Sequence, residues 1–218
     1  MIIIYKAVIF DLDGTLLDTL GDLHAAVNHA LRAFGFPERS LDEVRRFIGN
    51  GVVKLMQRAT PENTDEETES KCLEVFREYY LIHMRDMTAP YEGVVDLIEE
   101  LRAKGIKTAV VSNKFHEAVY ELCRDYFPCL IDEAIGVSAE RERKPSPVNV
   151  YKALGKMVVN ADECIYIGDS EVDVQTAHNA GVKCIGVTWG FRDKEELLKA
   201  GAEIIADNCA DILDIIVN

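Results

Sequence analysis

The chain has 218 residues, enough for one large domain or two smaller ones with a substantial core. Its 24 basic residues against 38 acidic ones leave a formal charge of −14, which disfavours nucleic acid and anionic membrane surfaces as partners and requires a local positive pocket for any small anionic substrate. The six cysteines, Cys72, Cys123, Cys129, Cys164, Cys184 and Cys209, have no CxxC spacing and read as reduced core residues. With neither a secretory leader pattern nor a bilayer-length apolar run, a cytoplasmic protein is expected.

Ile2 to Phe10 is a β-branched apolar run broken only by Tyr5 and Lys6, the pattern of a parallel strand covered on both faces. It ends in Asp11-Leu12-Asp13-Gly14-Thr15. If the extended backbone persists briefly, Asp11 and Asp13 point to one side, and two carboxylates so placed need either a shared proton or a cation. Gly14 lets the backbone turn and approach a ligand closely, and the Thr15 hydroxyl can donate to a phosphate or to the backbone. Such a pair suits covalent phosphoryl transfer: one carboxylate attacks phosphorus and its neighbour shuttles the proton. The same residues also make a plain strand-to-turn exit.

After Leu17 the pattern turns helical. Asp18 to Phe34 places Leu20, Leu23, Val27, Ala30 and Leu31 at helical spacing, with Gly35 as a stop. Ser40-Leu41-Asp42-Glu43 is a capping box opening a helix towards Phe47, Ile48-Gly49-Asn50-Gly51 interrupts, and a third helix starts near Val52. A charged fourth helix covers Asp65 to Arg85, with Leu73, Phe76, Tyr80 and Met84 on one face. Four short-linked helices suggest a small inserted bundle. The glycines of the Gly49-Asn50-Gly51 loop expose N–H groups at a helix start, suited to a small carboxylate, with Arg45 adding charge; an ordinary interhelical turn fits equally well.

From Tyr91 onward helices and strands alternate. Strands are predicted at Lys107 to Val111, Ile131 to Val137, Glu163 to Ile167, Lys183 to Val187 and Ala202 to Ile205. Helices separate them at His116 to Tyr126, Val148 to Met157, Val172 to Ala180 and Lys194 to Ala200. This alternation predicts an α/β fold with a doubly wound parallel sheet, whose ligand crevice lies at the carboxyl ends of the strands.

Three more strand ends then become candidate site elements. Ser112 and Asn113 can bind a phosphate or cap the next helix. Lys144 is biased to an extended backbone by Pro145, ahead of a helix whose N1 position suits Pro147, and its compact cation can hold a phosphate. Asp169 follows a strand and Gly168, while Ser170 with Asp173 has capping-box spacing; hard oxygen ligands gathered from two strand ends suit Mg²⁺.

The DxDGT stretch at Asp11 resembles the first motif of the haloacid dehalogenase superfamily, and Ser112, Lys144 and Gly168-Asp169-Ser170-Glu171-Val172-Asp173 resemble the second, third and fourth. The resemblance implies Asp11 as nucleophile and Asp13 as acid and then base. It implies Mg²⁺ bound by the Asp11 carboxylate, the Asp13 backbone carbonyl and Asp169, with Asp173 in or behind that set. Ser112 and Lys144 would hold the phosphoryl group. An acid at Asp13 favours phosphatase or phosphomutase chemistry over dehalogenation.

Asp18-Thr19-Leu20-Gly21-Asp22-Leu23, Phe47-Ile48-Gly49-Asn50-Gly51 and Gly186-Val187-Thr188-Trp189-Gly190-Phe191 look most like the phosphoglycolate phosphatase branch. That likeness implies a core of residues 1–17 and 89–218, with a helical cap at 18–88. The expected activity is Mg²⁺-dependent hydrolysis of a small phosphorylated metabolite, foremost 2-phosphoglycolate, by a monomer or homodimer. A β-phosphoglucomutase-like isomerase, a pyrophosphatase or nucleotidase, and a non-catalytic interaction module are the alternatives.

Overall fold

In the computed structural model, which describes residues 5–217, the chain divides into two units: Asp18–Ala89, and the residues on either side of it. The first strand, β1, spans Ala7–Phe10 and is wholly buried. Ile2 to Ile4, expected to begin it, lie outside the described residues. A short β2 (Leu17–Asp18) follows and later pairs with β3 (Ala89–Pro90) in a two-stranded sheet.

The helical unit contains α1 (Leu20–Ala33), α2 (Leu41–Phe47), α3 (Val52–Ala59) and α4 (Glu66–His83). Leu23, Ala26, Val27, Ala30 and Leu31 form the buried stripe of α1, and Cys72, Phe76 and Tyr80 that of α4. The two helices pack together, with His29 stacked on Tyr79 at 4.0 Å between ring centroids. The capping box at Ser40 forms as the spacing predicts, its hydroxyl accepting from Glu43 N–H and the Glu43 carboxylate accepting from Ser40 N–H.

Asp22, buried in the first turn of α1, ties the unit's last residues to its first helix. Its Oδ1 accepts from Met87 N–H at 2.9 Å, and its Oδ2 accepts from Thr88 N–H at 2.9 Å and Thr88 Oγ1 at 2.7 Å. Replacing it would leave two backbone donors without this acceptor, that of Thr88 in a buried setting. Asp22→Ala is therefore expected to destabilise the protein by about 3 kcal/mol. Urea titration followed by circular dichroism measures this, and a midpoint equal to that of the wild type would contradict the role given to Asp22.

The α/β unit continues with α5 (Val94–Ala103), β4 (Lys107–Phe115), α6 (His116–Tyr126), β5 (Glu133–Val137) and α7 (Val148–Met157). It closes with β6 (Cys164–Gly168), α8 (Glu171–Ala180), β7 (Lys183–Val187), α9 (Lys194–Lys199), β8 (Ile204–Ala206) and α10 (Cys209–Val217). The strands form one six-stranded sheet in the order β5-β4-β1-β6-β7-β8, and every ladder is parallel. This is the doubly wound α/β sheet the sequence predicts. Ala7 and Ile9 join Ala109, Val111, Ile135 and Tyr166 in a core with Val150, Leu154 and Met157 of α7 and Ala177 and Ala180 of α8. Val8 and Phe10, also buried, alternate to the opposite face.

From β1 the chain steps through β4 to β5 on one side, then crosses to β6 on the other, so the strand order reverses at β1. Right-handed crossovers put α5 and α6 on one face and α7 and α8 on the other. The carboxyl end of β1 is thus the topological switch point, where α/β sheets place their ligands.

Three local differences from the sequence reading matter. The β4 strand runs to Phe115 and not Val111, because pairing with β5 resumes at Phe115 opposite Val137 after a register shift. Ser112 and Asn113 therefore lie in the strand, and the N-cap of α6 is Phe115, with no side-chain cap bond. Pro147 is the N-cap of α7, one place earlier than expected. Helix α10 was not foreseen. Among the described residues no helix is long and apolar enough to cross a membrane.

Candidate active site

The backbone at Asp11 is still held in the sheet, its N–H donating to Ile167 O at 2.9 Å. Beyond it the chain curls back on one carbonyl, Leu12 O, which accepts from Leu16 and Leu17 N–H at 3.0 Å each. Gly14 makes this turn at φ +88°, and a Cβ there would lie 2.4 Å from Asp169 Oδ2, so conformation and space both require glycine. Asp11 Oδ1 accepts from Leu12 N–H at 2.7 Å, fixing the carboxylate at the strand end.

Lys144 reaches this carboxylate from the loop before α7. Its Nζ lies 2.9 Å from Asp11 Oδ1, 2.6 Å from Asp173 Oδ1 and 3.2 Å from the Tyr166 hydroxyl, and its side chain is 2% exposed. An ammonium has three protons, and each has an acceptor here. Burial works against the Lys144 charge, but Asp11 and Asp173 outweigh it and hold its pKa well above the ordinary lysine value. Burial, then Asp173, raises the Asp11 carboxyl well above the usual range, against the opposing pull of Lys144.

Asp169 follows β6 and is pinned at both oxygens. Thr15 Oγ1 donates to Oδ1 at 2.9 Å and Phe191 N–H donates to Oδ2 at 2.8 Å. The Thr15 hydroxyl, a phosphate candidate on sequence, is thus spent on orienting Asp169. Trp189 Nε1 donates to Thr15 O at 3.1 Å, bracing that loop in turn. Burial and then Asp173 push the Asp169 pKa up to about 7, against the Phe191 and Thr15 hydrogen bonds.

Asp173 both caps a helix and anchors the lysine. Its Oδ2 accepts from Ser170 Oγ at 2.6 Å and Ser170 N–H at 3.1 Å, completing the capping box of α8, while its Oδ1 faces Lys144 and Tyr166. The capping box that the spacing predicts is formed, and the same residue lies beside Asp11 and Asp169. Asp11, Asp169 and Asp173 each offer an oxygen within 4.8 Å of the others, and all three are buried. The Asp13 side chain is not one of the three.

Asp13 is instead paired with Lys114, whose Nζ lies 2.8 Å from Asp13 Oδ1; the two side chains are 1% (Lys114) and 12% (Asp13) exposed. Sequence reasoning passed over Lys114, although a lysine directly after Ser112-Asn113 at the end of an apolar strand was the available signal. Ser112 is buried and its Oγ accepts from Lys114 N–H at 3.3 Å. Asn113, also expected to meet phosphate, has both ends of its amide on the Lys144 backbone: Oδ1 accepts from Lys144 N–H at 2.7 Å and Nδ2 donates to Lys144 O at 3.2 Å. Tyr166, likewise not foreseen, links Lys144 to Val111 O through its hydroxyl.

Within the helical unit, Gly49 and Gly51 take φ +120° and +81°, and Gly51 is the N-cap of α3 with no side-chain cap bond. Arg58 braces this loop, donating to Phe47 O at 2.8 Å and to Asn50 Oδ1 at 2.6 Å, so the Asn50 carbonyl is turned to Arg58. Arg45 lies in the last turn of α2.

Residues 8–187 match the family model of haloacid dehalogenase-like hydrolases. The chain is 32% identical to the phosphoglycolate phosphatase of Vibrio parahaemolyticus, with 97% of this chain and 96% of that one covered. It is 33% identical to that of Aquifex aeolicus, with 85% and 86% covered. A crystal structure from Lactobacillus delbrueckii subsp. bulgaricus, provisionally named a phosphoglycolate phosphatase, superposes with a TM-score of 0.92 at 38% identity over 97% of this chain and 98% of its own. With a family match across all four strand-end motifs and near full-length relatives, this chain belongs to the haloacid dehalogenase-like hydrolases and is a phosphatase of the phosphoglycolate phosphatase-like kind.

Proposed function

We propose that the protein hydrolyses a small phosphate monoester, foremost 2-phosphoglycolate, through an aspartyl-phosphate on Asp11. The observation that carries this reading is the different surroundings of two nearby carboxylates: Asp11 lies buried against Lys144, Asp169 and Asp173, while Asp13 is paired with Lys114. Carboxyl groups in such different settings suit different roles.

An Asp11 oxygen attacks phosphorus and the bond to the ester oxygen breaks, the departing oxygen taking the proton of the Asp13 carboxyl. Water then attacks the phosphorus of the acyl phosphate. Its proton passes to Asp13 and the bond from phosphorus to Asp11 breaks, releasing phosphate and returning Asp11 to a carboxylate and Asp13 to its protonated form. Lys144 stabilises negative charge on the transferred group, and Ser112 holds one of its oxygens.

The donor set fits Mg²⁺. Three buried carboxylates of one sign sit within 4.8 Å, they are hard oxygen ligands, and burial first and then Asp173 raise the pKa of Asp11 and Asp169, so a cation is what would keep both ionised. Asp11 and Asp169 would hold the ion together with the Asp13 carbonyl, and Asp173, engaged by Lys144 and Ser170, would stand behind them. When bound, Mg²⁺ supplies charge neutralisation at the transferred phosphoryl group.

Support for 2-phosphoglycolate comes from the names of the full-length relatives. We assign residues 18–88 as the cap and the rest as the core. The N–H groups at Gly49, Asn50 and Gly51, at an α3 N-terminus lacking a side-chain cap, and the charge of Arg45 are the candidates for the substrate carboxylate.

Phosphate release from 2-phosphoglycolate, sugar phosphates, nucleotides and pyrophosphate, with Mg²⁺ and with a chelator, tests this. The highest kcat/KM is expected for 2-phosphoglycolate, and the chelator should remove the activity. Preference for another ester would overturn the substrate, and metal-independent turnover would overturn the ion.

A further inference from the structure

We infer that Lys114 is a positioning residue for Asp13, holding the proton-shuttling carboxylate in line with the ester oxygen without exchanging a proton itself. The inference rests on the phosphatase reading above and extends it to a residue outside the four motifs.

Lys114 occupies a position where a lysine is costly. The strand around it, from Thr108 to Phe115, is buried throughout, and the Lys114 side chain is 1% exposed. An ammonium so far from water is kept only against an opposite charge, and Asp13 Oδ1 lies 2.8 Å away. Asp13 needs such an anchor, because it stands on the turn beyond β1 and not in the ladder.

The anchor is well referenced to the site. Ser112 and Lys114 are two apart in the same strand, and Lys114 N–H donates to Ser112 Oγ at 3.3 Å. One strand end thereby sets both the hydroxyl assigned to the phosphoryl group and the cation that fixes the acid. The division between the two lysines follows: Lys144 serves the carboxylate that becomes phosphorylated, and Lys114 serves the one that moves protons.

The test compares wild type, Lys114→Met, Asp13→Asn and the double variant, all with Mg²⁺, on the best alkyl phosphate of the panel and on p-nitrophenyl phosphate. With the alkyl ester, whose alkoxide needs a proton to leave, Lys114→Met is expected to lower kcat by about 10²-fold and shift KM less than about threefold. p-Nitrophenolate leaves unaided, so phosphorylation of Asp11 persists while its hydrolysis slows. The same variant should then show a burst of one p-nitrophenolate per site followed by slow turnover. A merely structural lysine would produce no burst.

The double variant should be no slower than Asp13→Asn alone, since a residue acting through Asp13 has nothing left to position. It removes both charges of the pair together, so it decides the question even if Lys114→Met does not fold. Equal losses on the two esters without a burst, or losses that multiply in the double variant, would overturn the inference. Wild type inactive on every ester with Mg²⁺ would instead defeat the phosphatase reading itself.

Discussion

Asp11→Asn is expected to reduce turnover at least about 10⁴-fold while the protein folds as well as wild type or better. Asparagine keeps an oxygen for the Leu12 N–H bond at 2.7 Å and fills the same volume, but its amide cannot attack phosphorus. Stability should not fall, because burial and the Asp173, Asp169 and Asp13 charges together outweigh the pull of Lys144 on the ionised Asp11, and Lys144 keeps its pairing with Asp173. Single-turnover assays with labelled ester and a thermal melt read the two halves separately. Activity within tenfold of wild type would remove Asp11 from the nucleophile's role.

Lys144→Met should damage both stability and catalysis. It removes the cation lying 2.9 Å from Asp11 and 2.6 Å from Asp173 and leaves two buried carboxylates without it. Breaking one side of a buried ion pair costs about 3–5 kcal/mol, a fall of about 10 °C in melting temperature for a chain of this size. Turnover should drop about 10³-fold, since charge on the phosphoryl oxygens loses a preorganised partner. Adding Asp11→Asn should recover part of the stability and none of the activity. A single variant that melts with wild type would show that Lys144 does not carry the charge of this cluster.

The sheet was readable because its strands are apolar runs closed by glycine, proline or acidic residues, and the helical unit because its helices keep regular spacing and a clear capping box. Partner choice within the site was far less legible. The apolar run of β4 stops at Val111, so Ser112 and Asn113 read as a strand end or the cap of the next helix, yet the ladder with β5 resumes at Phe115 and holds them and Lys114 in the strand. Only that extension lets Asn113 grip the Lys144 backbone and lets Lys114 meet Asp13. Thr15 likewise meets Asp169, 154 residues away in sequence, and no local pattern announces such a pair. Helix α10 was missed because its large apolar residues, Ile212, Leu213, Ile215, Ile216 and Val217, form a cluster too short to show a period.

The double engagement of Asp173 bears on how this enzyme can change over generations. One oxygen starts helix α8 and the other steadies Lys144, so a substitution there loosens the scaffold and disarms the chemistry in a single step. Selection for sturdiness and selection for rate therefore act on this position in the same direction, and drift should be slowest here, while the exposed helix starts at Ser40 and Asp193 remain open to exchange among equivalent caps.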